Sequence, residues 1–308
     1  MSNASTKPEN VSHLESIKAR LHMRAGLFSA VRNYFNRHGF LEVETPVMIK
    51  APAPEEFIEA PPAGDKFLRT SPELQMKQLL SAGYEKIYEI GPCFRQGEFG
   101  RRHREEFTML EWYEVGKHSD YLIGFTHEML KAAAPEPVVE YAGCKIDLSL
   151  PPEIISVDEA YQKYCGKSPD RALLDGDFDE LMVTLVEPEL GKDRATFLTG
   201  YPAERASLAA IGSNGRAMRW ELYLGGLEIA NAYTELTDPI EQRKRFEEAK
   251  SARGEAGNAP YPEPEEFYQA LNYGLPQSTG CALGLDRLVM VFTNASDIDQ
   301  VRYNLPLI

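Results

Sequence analysis

Trp220-Glu221-Leu222-Tyr223-Leu224 and Leu227-Glu228-Ile229-Ala230 are two strand-like runs separated only by Gly225-Gly226. A glycine pair suits a two-residue turn with positive φ at both positions, so the segment predicts an antiparallel hairpin. Counting outward from the turn, Leu224 opposes Leu227, Tyr223 opposes Glu228 and Glu221 opposes Ala230. Glu221 and Glu228 then share one face as diagonal neighbours, about 7–8 Å apart at Cα. Both carboxylates could reach one hard divalent cation bound to phosphate oxygens. Two solvated glutamates are the commoner meaning of such a pair, and the remaining motifs shift that balance.

The rest of the chain agrees with strands joined by hairpins and covered by helices. Leu14, Ile17, Leu21, Phe28, Val31 and Phe35 recur at helical spacing between Leu14 and His38, with Gly39 placed to cap. Phe40 to Pro46 reads as a short strand whose proline suits an edge or interface. Ala51 to Gly64 is a loop, and Ser71-Pro72-Glu73 opens a helix. Lys86 to Phe94 and Phe107 to Val115 form a long-loop hairpin, while Gly280 to Phe292 is a buried strand running into a helix near Asp286. The stretch 116–195 reads as a helical insertion. There is no internal repeat, P-loop or dinucleotide fingerprint. The expected class is α+β, a mostly antiparallel sheet flanked by helices. Residues 1–12 are expected to be a loose tail and 13–308 one domain.

Composition narrows the function. The chain has 308 residues, with 33 basic and 47 acidic side chains giving a net charge of −14, which disfavours general attraction to nucleic acid. No apolar run is long enough to span a bilayer, and the polar Met1 to Asn10 lacks a secretion signal, so a cytoplasmic location is expected. Cys93, Cys144, Cys165 and Cys281 show no close pairing, which predicts neither disulfide nor zinc.

Two further constellations carry chemistry. Phe94-Arg95-Gln96-Gly97-Glu98 and His103-Arg104-Glu105-Glu106-Phe107 flank one loop, where a guanidinium could meet phosphate and an aromatic ring a base. In the following strand Phe107, Met109, Glu111 and Tyr113 fall on one face by period two, and an inward glutamate there suggests a cationic ligand. Gly280-Cys281-Ala282-Leu283-Gly284-Leu285-Asp286-Arg287 offers small residues beside which a ligand can approach the backbone. Arg287 could hold a phosphate or pair with Asp286.

Together these residues resemble the three signature motifs of class II aminoacyl-tRNA synthetases: Phe40 to Pro46, Phe94 to Phe107, and Gly284 to Arg287. The lysine-specific branch is more similar still, through Thr196 to Pro202, Phe107 to Tyr113 and Glu228 to Leu236. A lysyl-tRNA synthetase carries an anticodon-binding domain before the first motif, whereas a helix and a tail precede it here. The pattern therefore resembles the elongation factor P–lysine ligase family. Arg95-Gln96-Gly97-Glu98 departs from the Arg-Asn-Glu-Gly of the tRNA enzyme in the same direction. So does Ala282, an alanine associated in the ligase family with (R)-β-lysine.

The resemblance implies an AMP-forming ligase using ATP and Mg²⁺, with lysine or (R)-β-lysine as substrate and elongation factor P as acceptor. It also implies a homodimer, with no membrane and no tRNA partner. Arg95 and Arg287 become catalytic, with Glu221 and Glu228 on the metal. Gln96, Gly97, His103, Arg104, Phe107, Leu222 and Gly284 join Arg95, Arg287 and Glu221 around ATP, Gly97 leaving the adenine contact to Glu98 or to backbone. Ser71, Glu73, Glu111, Tyr113, Glu228, Asn231, Glu235 and Ala282 surround the amino acid. Straight alternation from Glu228 turns Asn231 and Glu235 away, so their roles require a bulge or bend near Ala230. The alternatives are a truncated lysyl-tRNA synthetase and a non-catalytic ligand-binding paralogue.

Overall fold

A computed structural model describes residues 7–303. Its centre is one eight-stranded sheet of β1 (Leu41–Glu42), β2 (Lys86–Phe94), β3 (Glu106–Val115), β4 (Glu153–Ser156), β5 (Thr196–Thr199), β6 (Arg219–Leu224), β7 (Leu227–Thr234) and β8 (Ser278–Gly284). The spatial order is β1-β2-β3-β8-β7-β6-β5-β4. Parallel pairing is confined to the two edges, β1 with β2 and β4 with β5. Every interior pairing is antiparallel, as the hairpins require.

Alternation separates the two faces. Leu110 and Trp112 of β3, with Leu222 and Leu224 of β6, enter the main core, where helices Lys18–Arg37, Ser119–Ala133 and Leu285–Phe292 cover the sheet. Leu27, Val31 and Phe35 supply the inward stripe of the first of these, and the Phe35 ring stacks 4.7 Å from that of Tyr88. On the other face one cluster, with Leu74, Phe246 and Phe267, covers one side, and a second, with Tyr161, Phe178 and Leu198, covers the other. The opposite-face residues of β3, β8, β7 and β6 line a cleft.

Three regions differ in detail from the sequence expectation. The long N-terminal helix is two, Glu9–Ser16 and Lys18–Arg37. Helix already begins inside the stretch read as tail, because Pro8 fixes φ at −57° ahead of the first turn and Glu9 complements the dipole; residues 1–6 lie outside the described residues. The stretch 116–195 is built into the sheet: it supplies β4, the Val138–Tyr141 and Cys144–Asp147 hairpin, and the core helix Ser119–Ala133. Its apolar residues needed the sheet to bury against, a partner that local pattern does not reveal.

Candidate active site

The glycine hairpin forms with φ of +59° at Gly225 and +71° at Gly226. Leu224 opposes Leu227 and Tyr223 opposes Glu228, but Leu222 then faces Ala230 and Glu221 faces Asn231. Ile229 is the extra residue of a β-bulge, which corrects the expected pairing of Glu221 with Ala230. Ile229 and Ala230 are both buried in the main core, which strict alternation would forbid for consecutive residues. The bulge reverses the parity of β7 beyond it. Glu228, Asn231, Tyr233 and Glu235 consequently line the same cavity of about 370 Å³.

The floor of that cavity is a trough along β8. Ala282 lies between Glu111 and Asn231, and Gly280 between Tyr113 and Tyr233. A Cβ on Gly280 would lie 2.6 Å from Glu235 Oε1 and closer still to the Tyr113 ring. The small residues of the central strand thus create the room that the longer ones flank.

One end of the trough is acidic. Ser71 and Tyr113 donate to the two oxygens of Glu111, at 2.8 and 2.7 Å. Burial, then the charge of Glu73, pushes the Glu111 carboxyl up to about 8. Lys77, one helical turn after Glu73, places its ammonium 2.6 Å from both Glu73 Oε1 and Glu235 Oε2. Burial also pushes Glu235 up to about 7, against the pull of Lys77. Two residues upstream of Ser71, the buried Arg69 guanidinium pairs with Glu89 at 2.6 Å and donates to Thr45 Oγ1 at 2.8 Å. Three carboxyl groups around one fixed cation, two of them with raised pKa, can ionise to meet a ligand with ammonium groups.

The other end is basic. Arg95 lies 5.1 Å from the centre of the Phe107 ring and 3.7 Å from Glu98 Oε1, and its Nε is buried without a hydrogen-bond partner. Arg287 donates to the Glu228 carbonyl at 2.9 Å, pairs with its carboxylate at 3.2 Å, and meets His103 Nε2. Burial and the Arg287 charge lower His103 to about 4, so at neutral pH its ring is uncharged and accepts from the guanidinium. Asp286 pairs with Arg24 and accepts from Thr108 N at 2.8 Å, so it anchors β3 and leaves Arg287 to the cavity.

Residues 11–304 match the profile of the family described as tRNA synthetases class II (D, K and N). The chain belongs to this class II synthetase family. Among its relatives, the elongation factor P–(R)-β-lysine ligases of Pectobacterium carotovorum and Erwinia tasmaniensis are each 37% identical, over 92% of this chain and 94% of theirs. A lysine–tRNA ligase from Dechloromonas aromatica is 34% identical over 93% of this chain and 63% of its own length. As a member of the class II synthetase family the chain is a ligase.

The fold of this family member brings most of the anticipated residues together. Ser71, Glu73, Arg95, His103, Arg104, Phe107, Glu111, Tyr113, Glu228, Asn231, Glu235, Ala282, Gly284 and Arg287 all line the cavity. Arg104, however, is engaged by Asp297 and Asp299 and lies 4.4 Å over the Phe99 ring, so its charge is already met. Gln96 and Gly97 do not line the cavity: Gln96 N donates to the Glu59 carbonyl and Gly97 N to Glu105 Oε1, and Glu98 faces inward instead. The Leu222 side chain lies in the main core, on the sheet face opposite Glu221.

Glu221 shares the face of Glu228, but Arg219, Tyr201 and Tyr223 occupy its oxygens at 2.5, 2.6 and 2.6 Å. About one of its four lone-pair positions remains. Glu187 joins the pair: burial pushes it up to about 7, and the Glu228 and Glu221 charges add to the rise. A cation would relieve that repulsion, so the donor set fits a divalent ion. Among the described residues no group of three or more His, Cys, Asp or Glu is arranged to hold a metal by itself. The Glu221–Glu228 pair would therefore supply only part of a Mg²⁺ shell, the rest coming from phosphate and water.

Sequence reasoning missed Lys77, Glu187, Arg219 and Glu55. Half-buried Glu55 comes from the 51–64 loop, and burial, against the pull of Arg95, pushes it up to about 7. For Lys77 a signal was available, since it follows Glu73 by four residues on one helix.

Proposed function

We propose that this synthetase-family ligase activates a diamino acid, (R)-β-lysine, as its adenylate and transfers the acyl group to a lysine ε-amine of elongation factor P. One observation carries the reading: a single cavity holds Glu73, Glu111 and Glu235 at one end and Arg95 with Arg287 at the other. The acidic end receives the ammonium groups, leaving the substrate carboxylate directed at the guanidinium end. Glu235, buried beside Lys77 and lining the cavity, is placed to meet one ammonium. The unpartnered Nε of Arg95 is suited to an anion.

Attack of the carboxylate on the α-phosphate of ATP joins two anions, and Arg95 bridges them while Arg287 holds the outer phosphates. Glu228 with Glu221 would hold Mg²⁺, which would supply further neutralisation of phosphate charge. Pyrophosphate leaves. The acceptor amine then forms the C–N bond as the bond from carbonyl carbon to phosphate oxygen breaks, giving an amide and AMP, with the amine's surplus proton passing to solvent. Holding the reactants together supplies much of this second step.

The net charge of −14 supports a protein acceptor over tRNA. Among the described residues no helix is long and apolar enough to cross a membrane, and the reading places the enzyme in the cytoplasm. A homodimer through the Phe40 to Pro46 region is supported by the exposure of Leu41, 51%.

The test is amino-acid-dependent ATP–pyrophosphate exchange with (R)-β-lysine, α-lysine and unrelated amino acids, followed by transfer to elongation factor P or to tRNA. (R)-β-lysine is expected to lead, and Ala282→Gly to improve α-lysine by removing the methyl between Glu111 and Asn231. Equal use of unrelated amino acids would overturn the pocket, and transfer to tRNA alone would overturn the acceptor.

A further inference from the structure

A second cavity, of about 610 Å³, opens beside the active site between the 51–64 loop, residues 203–208 and helix Pro239–Glu255. Glu55, Ser207 and Arg219 line both cavities, so the two adjoin across these three side chains. The junction lies between the two ends of the trough: Arg219 donates to Asn231 Oδ1 at 3.2 Å, and Glu55 lies within the fields of both Arg95 and Glu73. An acceptor passing there would meet the middle of the trough, between the ammonium-binding carboxyl groups and the arginines.

We infer that this groove is the docking surface for the acceptor protein, a lysine-bearing segment lying along it with its ε-ammonium directed past Glu55 toward the acyl-adenylate. The inference rests on the reading of the main cavity as an adenylate-forming site.

Two properties select such an occupant. The first is charge. Arg205 pairs with Asp179, Arg245 with Glu241, Lys244 with Glu241 and Glu248, and Arg219 with Glu221. Groove-lining Glu56 and Glu204 make no salt bridge among the described residues, so the groove's uncompensated charge is negative. A lysine-bearing segment complements it, whereas a polyphosphate backbone does not. The second is apolar exposure. Phe57 and Ile211 line the groove and Ile240 adjoins groove-lining Glu241, with exposures of 81%, 40% and 81%. Large exposed side chains around a pocket are the usual anchors of a protein interface.

The experiment compares the full-length wild type with Phe57→Asp, Ile240→Asp and the pair Glu56→Lys/Glu204→Lys. It measures (R)-β-lysine-dependent pyrophosphate exchange, acyl transfer to hydroxylamine as a small acceptor, and acyl transfer to elongation factor P. The expected result is exchange and hydroxamate formation within about twofold of wild type, with transfer to elongation factor P falling about tenfold or more through its KM. Wild-type transfer by all three variants would overturn the groove while leaving the adenylate reading intact. An equal loss of exchange and transfer would also overturn it, because the residues would then act on the active site itself. A wild type that forms no adenylate, or charges tRNA and not elongation factor P, overturns the functional reading, and the docking assignment falls with it.

Discussion

Glu221 lies opposite Asn231 across the β6–β7 hairpin, because Ile229 between Glu228 and Ala230 takes no partner. The bulge lets the hairpin bury two consecutive apolar residues and still present Glu228, Asn231 and Glu235 to one cavity. Deleting Ile229 would restore strict alternation and turn Asn231, Tyr233 and Glu235 toward the core. Pyrophosphate exchange should then fall by more than about 100-fold. A soluble deletion variant with normal exchange, its fold checked by circular dichroism, would remove the bulge from the account.

Lys77 is the fixed cation between Glu73 and Glu235. Lys77→Met leaves both carboxylates without it, and breaking a buried pair of this kind costs about 3–5 kcal/mol. Urea unfolding should register that loss. Where the variant is folded, the KM for the diamino acid should rise while that for ATP holds. An unchanged amino-acid KM would show that Lys77 has no part in shaping the acidic end.

Gly280→Ala places a methyl against Tyr113 and Glu235 at the deep end of the trough. Its φ is not in the left-handed region, so the effect is steric. The expected outcome is at least a tenfold or so rise in the amino-acid KM, the order set by about 1.4 kcal/mol of lost binding, with nucleotide affinity within about twofold. Calorimetric titration with each substrate separates the two.

Glu111 gives the site a pH dependence of definite sign. Its carboxyl titrates near 4.5 when unfolded and at about 8 in the folded protein, so the native state binds the extra proton between those values. The stability contributed by that protonation is present in full below 4.5 and is lost as pH rises to about 8. Glu235, pushed up to about 7, acts in the same sense. Ammonium groups require the ionised carboxylates, so affinity for the diamino acid should rise with pH toward about 8. Without substrate, thermal stability should fall across this range, whereas saturating substrate, which binds the ionised form, should flatten the slope, and Glu111→Gln should weaken the difference between the two. Parallel slopes would refute the assignment.

Much of the site was legible in the chain. Gly225-Gly226 specified the hairpin, period two put Met109, Glu111 and Tyr113 on one face, and Gly280, Ala282 and Gly284 marked the floor of the trough. These features depend on backbone conformation and side-chain alternation within single elements, which neighbouring residues largely determine. The bulge at Ile229, the binding of Glu221 by Arg219 and Tyr201, the placing of Lys77 against Glu235, and the entry of 116–195 into the sheet were decided by tertiary structure. Each depends on which distant segment covers a face, and so on burial and charge compensation between parts of the chain that no local pattern brings together.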